Sequence, residues 1–293
     1  MDHAAKVALL TAGADLPHAR GLEIGPRNSP LIHRSAGPVL YADYADADTV
    51  RANLHGTDID PAAVLDIDIV TGGGPLAPIM PHCVDYAVAS HVAEHVPDLL
   101  GWLADLHGVL APGGTLGLAI PDRRFTFDRF RAESTIAEAI EAYLHKYTRP
   151  SLRQVFDSAW QSVELGVDAA WRNDIPERAG AGYRVQRLVP ALELIRRIHE
   201  NGAYNDAHCW VFTPASFLHL IEHAARMDLF PYTLDNFQPT ELHGYEFFAV
   251  LRRAEAGCTH AKLRSIERAK ADLQTWPPEA SFAQAHETAE MRQ

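Results

Sequence analysis

Five short apolar runs in the first 121 residues constrain this chain more than anything else in it. Leu22-Glu23-Ile24 runs into Gly25. Residues 39–42 run into Asp43. Residues 64–70 stop at Gly72-Gly73-Gly74-Pro75, residues 84–90 form a fourth run and residues 115–120 a fifth. Helical stretches separate some of these runs. One covers residues 46–55. A longer one covers residues 93–110, with Leu99, Leu103, Leu106 and Leu110 at helical spacing, and Ala111-Pro112-Gly113-Gly114 stops it. Short strands alternating with helices predict a mostly parallel sheet covered on both faces, an α/β architecture.

The pattern breaks after residue 121. Residues 122–210 read as a helical insertion, with helices over 136–146, 152–165 and 190–200 and a loop at Gly180-Ala181-Gly182. It resumes at Thr213-Pro214, where Thr is a natural N-cap and Pro suits the first turn; that helix is expected to end near Met227. Residues 232–237 and 245–252 read as an antiparallel pair joined by a short polar segment containing Gly244. A helix over 261–273 and a disordered polar tail from Pro277 are expected to close the chain. The organisation predicted is one core domain over 1–253, interrupted by the insertion at 122–210, and a C-terminal helix and tail over 254–293.

A formal net charge of -12 argues against nucleic acid as a partner, because an acidic surface repels phosphates. Three cysteines, Cys83, Cys209 and Cys258, form no disulfide framework. The N-terminal apolar run Val7-Ala8-Leu9-Leu10 is too short for a membrane span. These features lead to the expectation of a cytoplasmic protein with no membrane partner. The hairpin edge leaves room for a homodimer.

In open α/β sheets ligands bind beyond the carboxyl ends of the strands. Those ends carry Glu23-Ile24-Gly25, Asp43, Asp68, Ser90-His91 and Pro121-Asp122. Three segments resemble the successive motifs of class I S-adenosylmethionine (SAM)-dependent methyltransferases: Gly21-Leu22-Glu23-Ile24-Gly25-Pro26, residues 39–43, and residues 85–98, which include Ser90-His91-Val92-Ala93-Glu94-His95. Leu110-Ala111-Pro112-Gly113-Gly114-Thr115-Leu116 is similar to the motif before the family's fifth strand. The resemblance covers about 20–121 and 213–252. It implies a seven-stranded Rossmann-like sheet with an antiparallel seventh strand, a helical insertion between strands 5 and 6, and SAM as cofactor.

The resemblance also implies residue roles. Gly25 would let the backbone approach the methionine part of SAM. Glu23 would either brace the first loop or meet the SAM ammonium group. Asp43 would accept from the ribose hydroxyls, and Asp68, with Asp66 as a competitor, would meet the adenine amino group. Ser90 completes the expected cofactor set. The first loop departs from the family pattern: Gly25-Pro26-Arg27-Asn28-Ser29-Pro30 holds one glycine, and Pro38 leaves little room for a helix. The full glycine fingerprint of a nicotinamide site is missing.

Were residues 91–95 helical, His91, Glu94 and His95 would share one face. Three uses compete there: His91 as general base, the side chains as ligands of a divalent metal, or plain bracing of the helix start. An inverted zinc-protease reading of His-x-x-Glu-His fails on context, because Pro97 and the preceding strand are wrong for it. The reading adopted has no metal, His91 as first and His208 as second catalytic candidate, and His95, Arg123, Arg124 and Asp206 on the acceptor side. Arg123 and Arg124 open a basic-aromatic run, and Asp206 and His208 lie where the insertion rejoins the core. The expected reaction is methyl transfer to oxygen or nitrogen of a small-molecule or carbohydrate acceptor. The alternatives are an inactive SAM- or partner-binding module and a SAM-using enzyme of different chemistry.

Overall fold

The structure is a computed structural model that describes residues 1–53 and 60–275. In chain order the elements are α1 (His3–Leu10), β1 (Gly21–Ile24), β2 (Val39–Asp43), α2 (Ala47–Asn53), β3 (Ile69–Val70), β4 (Val84–Ser90), α3 (Leu99–Val109), β5 (Leu110–Pro121), α4 (Ile136–His145), α5 (Leu152–Gln161), α6 (Val167–Trp171), α7 (Ala181–Gln186), α8 (Leu188–Asn201), α9 (Pro214–Arg226), β6 (Tyr232–Gln238), β7 (Glu246–Arg253) and α10 (Thr259–Gln274). Leu54 and His55 of the expected second helix and the tail from Pro277 lie outside the described residues.

The seven strands form one sheet in the order β3-β2-β1-β4-β5-β7-β6. β1 to β5 are parallel, and β7 runs antiparallel between β5 and β6. This is the Rossmann-like arrangement expected from the sequence. Both faces are buried, and the side chains alternate between two cores, as the two-residue period of a strand requires. Leu116, Leu118 and Ile120 of β5 and Phe247, Ala249 and Leu251 of β7 enter the larger core with α3 and α9. Tyr86 and Val88 of β4 and Phe248 of β7 enter the smaller one, where Leu10 of α1 covers them. A Cβ on Gly117 would lie 2.1 Å from the Leu10 carbonyl oxygen, so only glycine lets α1 approach β5 this closely.

Three boundaries differ from the sequence reading. β5 starts at Leu110, and Ala111-Pro112-Gly113-Gly114 is a bulge within it: Val84 pairs with Leu110, and Tyr86 already pairs with Thr115. α3 starts at Leu99, not at residue 93. Pro97 disfavours helix in the residue before it, and Asp98 caps the helix by accepting from Gly101 N at 2.8 Å. His91, Glu94 and His95 therefore sit in a turn closed by His95 N donating to Val92 O, and not on a helical face. β3 holds only Ile69 and Val70, so Asp68 lies at its entrance.

Residues 122–210 carry α4 to α8. The excursion starts and ends at neighbouring points. Asp122 bridges to Phe212, Arg123 N donates to Phe212 O, and Ser134 N donates to Val211 O. α9 opens as its residues dictate, with Thr213 and Ser216 forming a capping box and Pro214 in the first turn. No helix among the described residues is long and apolar enough to cross a membrane.

Candidate active site

The carboxyl ends of β1, β2 and β4 meet at the middle of the sheet, where β1 pairs with both neighbours. Gly25 adopts φ +67° and donates its N–H to Ala42 O. A Cβ there would stand 2.8 Å from Val92 Cγ2, so the position holds glycine for both conformation and space. Glu23 is 3% exposed and accepts from Leu31 N at 2.6 Å and Ile32 N at 2.8 Å. Of its two expected roles, the structure has it bracing the proline-rich first loop. Burial pushes its carboxyl up to about 7, against the two backbone hydrogen bonds that pull it down. Asp43 ends β2 and is also buried; Tyr44 N donates to its Oδ1 at 2.7 Å. Burial raises its carboxyl above the usual range. Ser90 ends β4, half-buried.

Asp68 is elsewhere. Its Oδ2 accepts from Tyr41 N at 2.8 Å and from Arg34 at 2.7 Å, level with the middle of β2. The adenine role expected for it fails on position, because a two-residue β3 leaves Thr71 and Gly72, and not Asp68, at the strand's carboxyl end. Asp66 is exposed beside Arg51.

His91 follows β4 with φ +55°, a conformation that non-glycine residues seldom adopt and that turns its side chain back across the sheet. Its Nε2 donates to Glu246 Oε2 at 2.8 Å, and its Nδ1 stands 3.5 Å from Glu94 Oε1. Lys6 of α1 holds Glu246 from the other side, at 2.8 and 2.9 Å. Burial lowers the His91 pKa, but Glu246 and Glu94 together outweigh it and push the pKa up to about 9. The ring is therefore a cation near neutral pH. A general base needs a free lone pair, so this arrangement runs against the base role expected of His91.

The second histidine candidate is set differently. His208 Nδ1 bonds Asp128 Oδ2 at 2.5 Å, and both residues are buried. His95 Nδ1 bonds Asp206 Oδ1 at 3.1 Å. The two imidazoles meet edge to face, 4.6 Å between centroids, and Phe127 packs on His208 at the same distance. Glu94, 1% exposed, completes the group: one potential ligand atom from each of Glu94, His95 and His208 lies within 4.8 Å of the others. Tyr204 joins this cluster to the β2 end. Its ring stacks on Tyr44 at 6.0 Å, and its hydroxyl donates to Asp206 at 3.3 Å. Burial opposes ionisation of Asp206 and Asp128, but their histidine partners hold both carboxyls below the usual range.

The basic run after β5 folds inward. Arg124 forms a forked pair with fully buried Asp122, with bonds of 2.7 to 3.1 Å. Arg123 donates to Arg129 O at 2.8 Å and faces Glu133 at 3.7 Å. Arg131 is 1% exposed and ties Asp128, Asp157 and the His208 carbonyl together. Arg123 and Arg124 thus hold the start of the insertion. Sequence reasoning missed Asp128, Glu246 and Lys6. Each lies more than 75 residues from the histidine it serves or the carboxylate it holds, and no local pattern marks them.

Residues 32–118 match the family model described as a methyltransferase domain. Among proteins of curated function none matches the sequence. Solved structures similar to this chain include a SAM-dependent methyltransferase from Mesorhizobium loti, 13% identical with a TM-score of 0.40, covering 85% of this chain and 96% of that one. A Rhodobacter sphaeroides protein described provisionally as a zinc-dependent alcohol dehydrogenase is 13% identical with a TM-score of 0.45, covering 86% and 90%. Magnesium protoporphyrin IX methyltransferase from Synechocystis, with bound S-adenosylhomocysteine, is 11% identical with a TM-score of 0.38, covering 86% and 82%.

Proposed function

We propose that this chain, which carries a class I Rossmann-like methyltransferase domain, moves the methyl group of SAM to an oxygen or nitrogen of a small-molecule or carbohydrate acceptor. One observation carries the reading: the methyltransferase-domain match over 32–118 spans β2 to β4 and most of β5, and includes Asp43 at the carboxyl end of β2 and Ser90 at that of β4.

The residues at those ends fit the cofactor. Gly25 offers backbone with no side chain in the way, and Asp43 is a buried acceptor capped by main-chain amides beside it. When bound, SAM supplies a methyl group on a sulfonium, already activated for in-line displacement. The protein's part is then alignment, exclusion of water and handling of the acceptor's proton. Glu23 keeps the first loop closed against β1 by its two main-chain hydrogen bonds. His91, held between Glu246 and Glu94, is a fixed cation beside Ser90. We assign the acceptor's proton to the neighbouring cluster of Glu94, His95 and His208, with Asp206 and Asp128 orienting the two imidazoles. The helices of residues 122–210 form the acceptor wall and act as a lid.

Calorimetry with SAM and S-adenosylhomocysteine tests the reading. Micromolar binding that Asp43→Ala abolishes is the expected result, and S-adenosylhomocysteine is the expected product once an acceptor is found. Absence of binding by the folded wild type overturns it.

A further inference from the structure

We infer that Glu94, His95 and His208 form a binding site for one divalent transition-metal ion, of the zinc, cobalt or manganese kind. The inference goes beyond the methyltransferase reading and stands without it.

The first observation is the carboxylate. Glu94 is 1% exposed, and neither of its oxygens has a hydrogen-bond donor among the described residues. Its nearest charge, His91, is 3.5 Å away and gives its other nitrogen to Glu246. The His91 cation is shared with Glu246 and stands beyond direct hydrogen-bonding contact, so this buried carboxylate still has the capacity to hold a further cation. Glu94 is held where it is by its own main chain: its carbonyl accepts from both Cys209 N and Trp210 N. The residue is therefore anchored through its main chain beside the segment that carries His208, and its side chain is free to adjust.

The second observation is independent of the first. Each histidine gives Nδ1 to a carboxylate, His95 to Asp206 and His208 to Asp128. The carboxylate accepts from Nδ1–H, which leaves the lone pair on Nε2. Carboxylate-oriented imidazole is the usual second layer of a metal site. In the third place, the ligand atoms of Glu94, His95 and His208 lie within 4.8 Å of one another. Atoms ~2.1 Å from a zinc ion at tetrahedral angles lie ~3.4 Å apart. Small side-chain rotations close the difference.

The donors choose the ion. Two imidazoles and one carboxylate suit borderline transition metals, whereas magnesium and calcium prefer shells built of oxygen. Three protein ligands leave at least one position open, which is the pattern of a reactive site and not of a closed structural one. Where SAM is bound, that position would take an acceptor oxygen or nitrogen and ease loss of its proton to bulk water. In the metal-bound protein this replaces the direct proton transfer assigned above to Glu94, His95 and His208. His91 is outside the set, in contrast to the metal alternative drawn from the sequence.

The test uses the full chain, stripped with a chelator and titrated with zinc chloride by calorimetry and with cobalt chloride by visible absorption. One equivalent with micromolar or tighter affinity is expected, together with cobalt d–d bands of a nitrogen and oxygen site. Glu94→Gln and His208→Ala should each weaken binding at least 100-fold, and Asp206→Asn by about 10- to 100-fold. His91→Ala should retain binding. Far-UV circular dichroism of each variant separates lost ligands from lost fold, and Asp206→Asn, changed on an exposed rim, keeps the test valid where a buried variant unfolds. No stoichiometric binding by the folded wild type overturns the proposal. So does binding of undiminished affinity in folded Glu94→Gln or Asp206→Asn, or binding lost with His91→Ala alone. Calorimetry with SAM on the same stripped protein reports separately on the methyltransferase reading.

Discussion

The two halves of the candidate site are built by different means. On the cofactor side, Glu23 and Asp43 are buried carboxylates that accept from main-chain amides of the adjoining loops, at most nine residues away in sequence. On the histidine side, His95, His208, Asp128 and Asp206 come from three separate stretches, and side chains partner side chains across as many as 111 residues. A site made from backbone is set by strand register and local turns. A site made from side-chain pairs depends on how a whole insertion docks. The first tolerates change in the insertion; the second does not.

The sharpest way to break the contrast is Asp128→Ala. Asp128 partners both Arg131 and His208 in the interior. Removing one member of a buried charge group leaves the others uncompensated, at a cost of about 3–5 kcal/mol. Urea unfolding should show this loss, while SAM affinity per folded molecule stays near wild type. An equal loss of SAM affinity would mean that the two halves are one unit.

Glu23→Ala probes the other half. It leaves the amides of Leu31 and Ile32 without an acceptor, at a cost of about 2–3 kcal/mol, and should weaken SAM binding while sparing the histidine cluster. Its pH dependence has a defined sign. With its carboxyl at about 7 in the folded state, above the ordinary ~4.3, Glu23 holds its proton more tightly folded than unfolded. Its contribution is fully present below the unfolded value and is lost as pH rises through 7. The stability difference between wild type and Glu23→Gln should therefore shrink from pH 4 to pH 8. A flat difference would show that the carboxyl titrates normally.

Gly25→Ala is the smallest of the three. A left-handed φ of +67° costs an alanine about 1–2 kcal/mol, and contact with Val92 adds to it. Thermal unfolding should drop by a few degrees, and SAM affinity should fall more than stability does.

Local signals were legible where local chemistry decides. Thr213-Pro214 opens α9 as read, because cap and first turn lie within four residues. The periodicity that predicts helix from residue 93 overruns its start, which Pro97 and Asp98 move to Leu99. Asp68 was misplaced because β3 is two residues long, so a small error in the strand's end moves the acid out of the site. The arginines at 123 and 124 looked like a surface or pocket run. Their buried partner Asp122 is adjacent in sequence, but nothing in the sequence says that it is buried.

By itself, the sequence determined that the chain builds a mostly parallel sheet covered on both faces, because apolar periodicity, glycine and proline stops and strand-end acids act over a few residues; the seven-stranded arrangement was implied by the resemblance to methyltransferases. Only the tertiary structure decided what the ionisable groups do. His91 is a cation because Glu246 reaches it from β7, and His208 gives Nδ1 to Asp128 because the insertion brings the two together. Electrostatic and ligand chemistry depends on distances of a few ångströms between residues far apart in sequence, and those distances exist only after the insertion has closed on the sheet.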